Sequence, residues 1–286
     1  MHRITHKPGS SRRRDGATMD GRPGRLAAYL RFLGVSFVVN VQAVVEYRVN
    51  FLAQVFGMML NNAAFALFWG MLIGKVGNIG GYGFDDVMLI WALVSTSFGL
   101  AHVVFGNVRS LGRIIQRGEL DLYLLQPKDA MLNVLASKTV VSAWGDFAYG
   151  FLVLGLLPGF GLERLALFCA LSITGAMIFA ATFAAAESLC FFLGDSSGIS
   201  SAVTEFLLSF SLYPETVFDR GMRWVFYTLL PSGFIAFVPL AAIKSLGWPA
   251  VALLAAIALL YCAASYGFFR LGLRRYESGN QMGARL

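Results

Sequence analysis

Few residues of this 286-residue chain sit in a spacing that could do chemistry. Gly194-Asp-Ser-Ser-Gly198 has the GxSxG form of a nucleophile elbow. An elbow needs a strand before the serine, a helix after it and a histidine partner. Here apolar, helix-like stretches lie on both sides. His2 and His6 fall in a polar N-terminal stretch and His102 inside an apolar run, so the motif reads as a polar turn. Gly70-Met-Leu-Ile-Gly74-Lys75 is one residue short of the phosphate-cradling GxxxxGK[ST] loop, lacks the Ser or Thr that holds magnesium, and ends an apolar run. No cofactor is therefore expected on this chain. Cys169, Cys190 and Cys262 fall in apolar runs without CxxC spacing, which argues against a disulfide framework or a zinc site.

Three acids, Asp146, Glu187 and Glu205, lie at or near the depth of apolar runs. Intramembrane acids are costly and often functional. They could pair with nearby arginines at an interface, or form the proton or cation route of a proton-coupled secondary transporter. Phe98, His102 and Phe105 share one helical face, as do Phe206, Phe210 and Tyr213. Such stripes usually pack or meet lipid; the sharper reading makes Phe98, His102, Phe105, Phe206 and Phe210 the lining of a path. Arg109, Arg113 and Arg117 recur every four residues, and Leu111, Ile114 and Ile115 fall on another face. Gly118 stands where a helix C-terminus is capped. Glu119-Leu120-Asp121-Leu-Tyr-Leu-Leu125 then runs into a turn at Gln126-Pro127-Lys128-Asp129, and Asp129 suits the start of a following helix. Arginines alone fit an anchor on anionic lipid. The acidic and apolar Glu119–Leu125 stretch suits a protein groove better.

The elements that must position these residues are read from the charge pattern. Apolar residues make up 57% of the chain and charged ones 14%, against roughly 25% charged in soluble domains. Phe51–Gly74, Val87–Val108, Leu165–Ala186, Trp224–Ile243 and Ser245–Phe269 hold no charge. Each is near or above the ~20 residues a helix needs to cross a bilayer. Their continuous apolarity excludes alternating barrel strands. The expectation is an all-α integral membrane protein with six transmembrane helices: Phe51–Ile73, Val87–Val108, Thr139–Pro158, Leu165–Leu193, Ser201–Tyr213 and Ala250–Phe269. Arg25–Tyr47 is apolar but interrupted by Arg31 and Asn40, which predicts an N-terminal interfacial amphipathic helix. Residues 214–249 carry Pro231, Gly233 and Pro239 inside an apolar run, which predicts a broken or re-entrant hairpin before the last helix. Residues 1–24 read as a disordered basic tail, with Met19 an alternative start, and 277–286 as a short tail.

Of 23 Lys and Arg, nine precede the first span, five lie in the 109–138 loop and four follow the last span; five lie on the other side. This asymmetry predicts an inner cell membrane protein, multi-pass, with both termini and the 109–138 loop cytoplasmic. It also explains the net charge of +7 without a nucleic-acid partner.

Ile114–Lys138 (IIQRGELDLYLLQPKDAMLNVLASK) resembles the loop after the second span in ABC type-2 exporter permeases. The likeness is to a bacterial subfamily slightly shorter than this chain, whose loop reads as a glycine, an acid, leucines and then a proline. The layout of Arg25–Tyr276 agrees, including a Pro-rich segment over Ser211–Leu240. The resemblance implies a permease subunit of an ATP-binding-cassette exporter that catalyses nothing itself. It implies a coupling helix over Leu111–Leu125 that docks a separate ATPase, which binds the ATP and magnesium. Leu111, Arg113, Ile114, Arg117, Gly118, Glu119, Leu120, Asp121 and Pro127 carry that assignment. It further implies that Arg25–Tyr47 packs on the same ATPase, that 194–200 is a minor contact, and that a second permease, identical or different, completes a path lined by the second and fifth spans.

Overall fold

The computed structural model describes residues 25–159 and 161–277. The tails expected over 1–24 and 277–286 lie outside these residues, apart from Glu277. The described chain is helical, with a single isolated bridge between Ile79 and Tyr82. In order, the helices are α1 (Arg25–Val45), α2 (Arg48–Val76), α3 (Phe84–Val104), α4 (Leu111–Gln116), α5 (Leu120–Leu124), α6 (Ala130–Leu135) and α7 (Ala143–Leu156). They continue with α8 (Leu162–Ser188), α9 (Cys190–Leu193), α10 (Ser197–Leu212), α11 (Arg220–Phe226), α12 (Val238–Ser245) and α13 (Trp248–Leu273).

Ala27–Val45, Arg48–Val76, Phe84–Val104, Leu162–Leu193 and Trp248–Leu273 are long and apolar enough to cross a membrane. Helix α3 is the centre of the molecule. Most of its residues are buried, and it packs most extensively against α7 and α8. The approach to α7 is close because glycines line it. A Cβ at Gly99 would sit 2.5 Å from Phe147 N, and one at Gly150 would collide with Thr96 and Ala92.

Several elements differ from the sequence expectation. The third span is shorter than 139–158: α7 has 14 residues, about 21 Å of helix. The segment before it is tied elsewhere, since Val140 N donates to His102 O at the end of α3 (3.1 Å). The second span stops at Val104 and is followed by a 3₁₀ turn over Val108–Ser110. The fifth starts earlier, at Ser197. The expected Leu111–Leu125 helix is two helices, broken at Gly118, whose φ of +72° is a conformation that ends a helix.

The segment after α10 is broken into pieces. A 3₁₀ turn (Glu215–Val217), α11, a π-helical turn (Gly233–Phe237) and α12 follow one another. Pro239 falls in the first turn of α12, where its missing N–H costs no helical bond. The π turn just before it takes up the register change. Both ends of this hairpin sit by the α2–α3 loop: Thr216 lies against Gly80, and Lys244 Nζ pairs with Asp86 Oδ1 at 2.7 Å. Between them the chain dips along the bundle, where Tyr261 Oη, at the middle of α13, donates to Thr228 O (2.7 Å). The opposite end of the bundle holds α4–α6, the 194–196 turn and the Arg274–Arg275 pair, and is called the basic end below.

Helix α1 touches the basic end. Lys128 Nζ lies 4.6 Å from the Phe32 ring, Phe37 meets Trp144 at 6.0 Å, and Asn40 Nδ2 donates to Ala136 O (2.9 Å). No residue of Ala27–Val45 is fully buried.

Candidate functional site

The basic loop is built on an anchored helix and ends in an exposed tip. Leu111, Ile114, Ile115 and Leu120 are buried, while Arg109, Arg113 and Arg117 are exposed, so the spacing of four does separate two faces. The anchor is polar. Gly112 N donates to Glu187 Oε2 (3.0 Å), Cys190 Sγ to Gly112 O (3.3 Å), and Gln116 Nε2 to Gly194 O (2.9 Å). A Cβ at residue 112 would stand 2.6 Å from that Glu187 oxygen, so a larger residue there would have to displace the carboxyl that anchors the loop. Asp129 caps α6 by accepting from Leu132 N (3.0 Å) and also accepts from Tyr266 Oη on α13 (2.7 Å). Burial, and then the facing Asp121, push the Tyr276 hydroxyl up to about 12.

Beyond these anchors the tip is bare. Leu122 and Leu125 are 66% and 84% exposed, with Leu124 and Pro127 also exposed. Glu119 lies 3.9 Å from Arg117 on the surface, a contact worth little in water.

The arginines border a vestibule of about 900 Å³ that opens among α3, α4, α8 and α10. Arg109, Arg113, Arg117 and Lys138 give it a basic rim, and Glu187 and Asp195 lie in its wall. Ser197 N, donating to Asp195 Oδ1 (3.0 Å), holds that carboxyl below the usual carboxylate range. At its floor are His102 and Phe98. His102 Nδ1 donates to Phe98 O (3.0 Å) and the rings stand 4.1 Å apart.

A second cavity of about 500 Å³ continues from this floor between α2, α3 and α10. Met58, Phe98, Asp146 and Leu208 line both. Asp146 is buried in the first turn of α7 and accepts from Asn62 Nδ2 at 2.7 Å. The two cavities form one channel-like face, basic at one end and aromatic above.

Of the sequence-predicted residues, Phe98, His102, Asp146 and Glu205 line this face, and Glu187 lines the vestibule. Phe105 instead packs against the core. Phe206 and Phe210 stack on each other at 5.7 Å on α10, and Phe210 packs on Phe218 and Phe226 of the hairpin. Among the described residues Asp146 has no ion pair with an arginine; its neighbour is Asn62, which the sequence analysis did not single out although it interrupts an apolar run. Gly112 was also missed, for want of any local signal. The GxSxG segment is a helix–turn–helix, and no hydrogen bond joins His102 to Ser196 among the described residues.

The profile of the ABC-2 family transporter proteins matches residues 59–280. No curated protein and no solved structure matches the chain. The matched region takes in most of α2, the other helices that build the channel-like face and the whole basic loop, and covers more than half of the sequence; the chain belongs to the ABC-2 family of transporter proteins.

Proposed function

We propose that the chain is the permease subunit of an ATP-binding-cassette exporter, and that the α4–α6 loop docks a separate ATPase subunit carrying the ATP and magnesium. The observation that carries this reading is the tip. Leu122, Leu124 and Leu125 are exposed, while the same loop is bonded to α8, α9 and α13 behind them. An apolar tip on a braced loop suits a groove on a partner, and movement of that partner would pass directly to the bundle. Arg113 and Arg117 serve at the edge of the contact and at the vestibule rim. Six crossings are assigned to α2, α3, α7, α8, α10 and α13, with α1 lying at the cytoplasmic interface and residues 214–245 entering from the outer side. The excess of Lys and Arg on the basic end orients it to the cytoplasm of the inner cell membrane. A second permease, the same or different, closes the open face of α2 and α10.

The full chain, tagged and purified from its native membrane, is expected to co-elute with ATP hydrolysis. Leu122→Glu with Leu125→Glu should abolish that co-elution while the protein stays in the membrane fraction at its normal level. Undiminished ATPase in the variant eluate would rule out the tip as the docking site.

A further inference from the structure

The upper cavity and the vestibule below it differ in sign. Arg109, Arg113, Arg117 and Lys138 line the vestibule. Among the described residues the upper cavity has no Lys or Arg in its wall; it has two carboxylates, Asp146 and Glu205, and a cluster of aromatic rings. Phe65 stacks on Trp91 with centroids 4.8 Å apart, and Trp69 meets Tyr213 edge-on at 5.6 Å. Asp146 is 4% exposed, and its hydrogen bond comes from the neutral Asn62. Among the described residues neither Asp146 nor Glu205 has an ion-pair partner. Trp91 Nε1 is buried in the same wall without a hydrogen-bond acceptor.

A carboxylate held in an apolar wall without a counter-charge is costly, and the cost falls when a cation is placed beside it. Aromatic faces attract the same charge, more strongly once it is desolvated. The volume of about 500 Å³ lies within the range of small-molecule sites. We propose that this cavity binds a lipophilic aromatic cation, the substrate class of the transporter, with Asp146 and Glu205 as its counter-ions and Phe65, Trp69 and Trp91 as its stacking surface. The assignment rests on the permease reading, because it places the site on the transport path. The basic rim below repels a cation approaching from the cytoplasmic mouth. The exposed rings of Phe65 and Phe68 flank the opening of the cavity on the α2 side, the face that the second permease is proposed to close.

Tetraphenylphosphonium and tetraphenylborate share size and shape and differ in charge, so they test the proposal directly. Each is titrated separately onto the full chain in nanodiscs, with empty nanodiscs as background. Saturable binding is expected for the phosphonium and not for the borate. Asp146→Asn, which keeps an acceptor for Asn62, should weaken phosphonium binding about tenfold, and Glu205→Gln several-fold. Asp85→Asn, at the exposed far end of α3, should leave it unchanged. Equal binding of the two ions, or unchanged affinity in both cavity variants, overturns the proposal. If Asp146→Asn does not fold, the exposed Glu205→Gln decides in the same way. The titration uses no ATPase. A chain that co-elutes with ATPase yet binds no phosphonium rejects the substrate class alone, and one that binds phosphonium but recruits no ATPase rejects the docking reading alone.

Discussion

Glu187 holds the basic loop to the bundle through one hydrogen bond, to the backbone of Gly112. Arg109 and Arg113 are near enough to act on its carboxyl, yet neither forms an ion pair with it among the described residues. Glu187→Ala would leave the Gly112 N–H buried and unpaired. Such a loss costs about 1–3 kcal/mol, so a lower thermal midpoint is expected in a scanning fluorimetry experiment on the detergent-purified chain. Gly112→Ala should cost at most a similar amount, since its methyl group displaces the flexible Glu187 carboxyl. If the two single variants destabilise through one contact, the double variant will cost less than their sum. Some residue roles were legible in the sequence because they are local. The arginine spacing, the left-handed Gly118 and the Asp129 cap each follow from a few neighbouring residues. The partners of Glu187 and Asp146 stand 75 and 84 positions away in the chain. No periodicity encodes such a pairing, which is why the sequence left both arginine pairing and a proton or cation route open for these acids.

At the scale of elements, the packing of α3 on α7 depends on missing side chains. Gly99 and Gly150 face backbone atoms of the other helix at distances no Cβ can occupy. Without water to drive them together, membrane helices associate through such close contact. Gly99→Ala and Gly150→Ala are each expected to destabilise the fold by about 1–3 kcal/mol, the usual cost of overpacking. Gly155→Ala on the same α7, where nothing lies within 4 Å of the added carbon, should be neutral or slightly stabilising. Equal midpoints for Gly150→Ala and Gly155→Ala would show that the α3–α7 contact does not govern stability. The long apolar runs foretold α2, α3, α8 and α13 well, because hydropathy alone requires a helix there. The shorter elements were less legible. Helix α7 is trimmed by a tertiary hydrogen bond from Val140 to the end of α3, and the α4–α5 break needs the backbone angle of one glycine.

The whole molecule is polarised between a basic end and a hairpin end, and its orientation in the membrane rests on the placement of α1. That helix is long and apolar enough to cross. Its contacts argue against crossing: Phe32, Phe37 and Asn40, spread over more than two turns, all reach the 128–144 segment at the basic end. A helix running through the bilayer would leave that level within about one turn, at 1.5 Å per residue. Single cysteines in a background lacking Cys169, Cys190 and Cys262 separate the two arrangements. Asn78→Cys in the α2–α3 loop and Arg220→Cys in the hairpin should react with a membrane-impermeant maleimide in intact cells. Leu125→Cys at the loop tip should react only after permeabilisation. Ala28→Cys, near the start of α1, is the deciding position. An interfacial α1 keeps it on the side of Leu125, protected until the membrane is opened. Labelling of Ala28→Cys in intact cells would instead make α1 a seventh crossing, set the N-terminus opposite the C-terminus, and remove α1 from any surface shared with the ATPase.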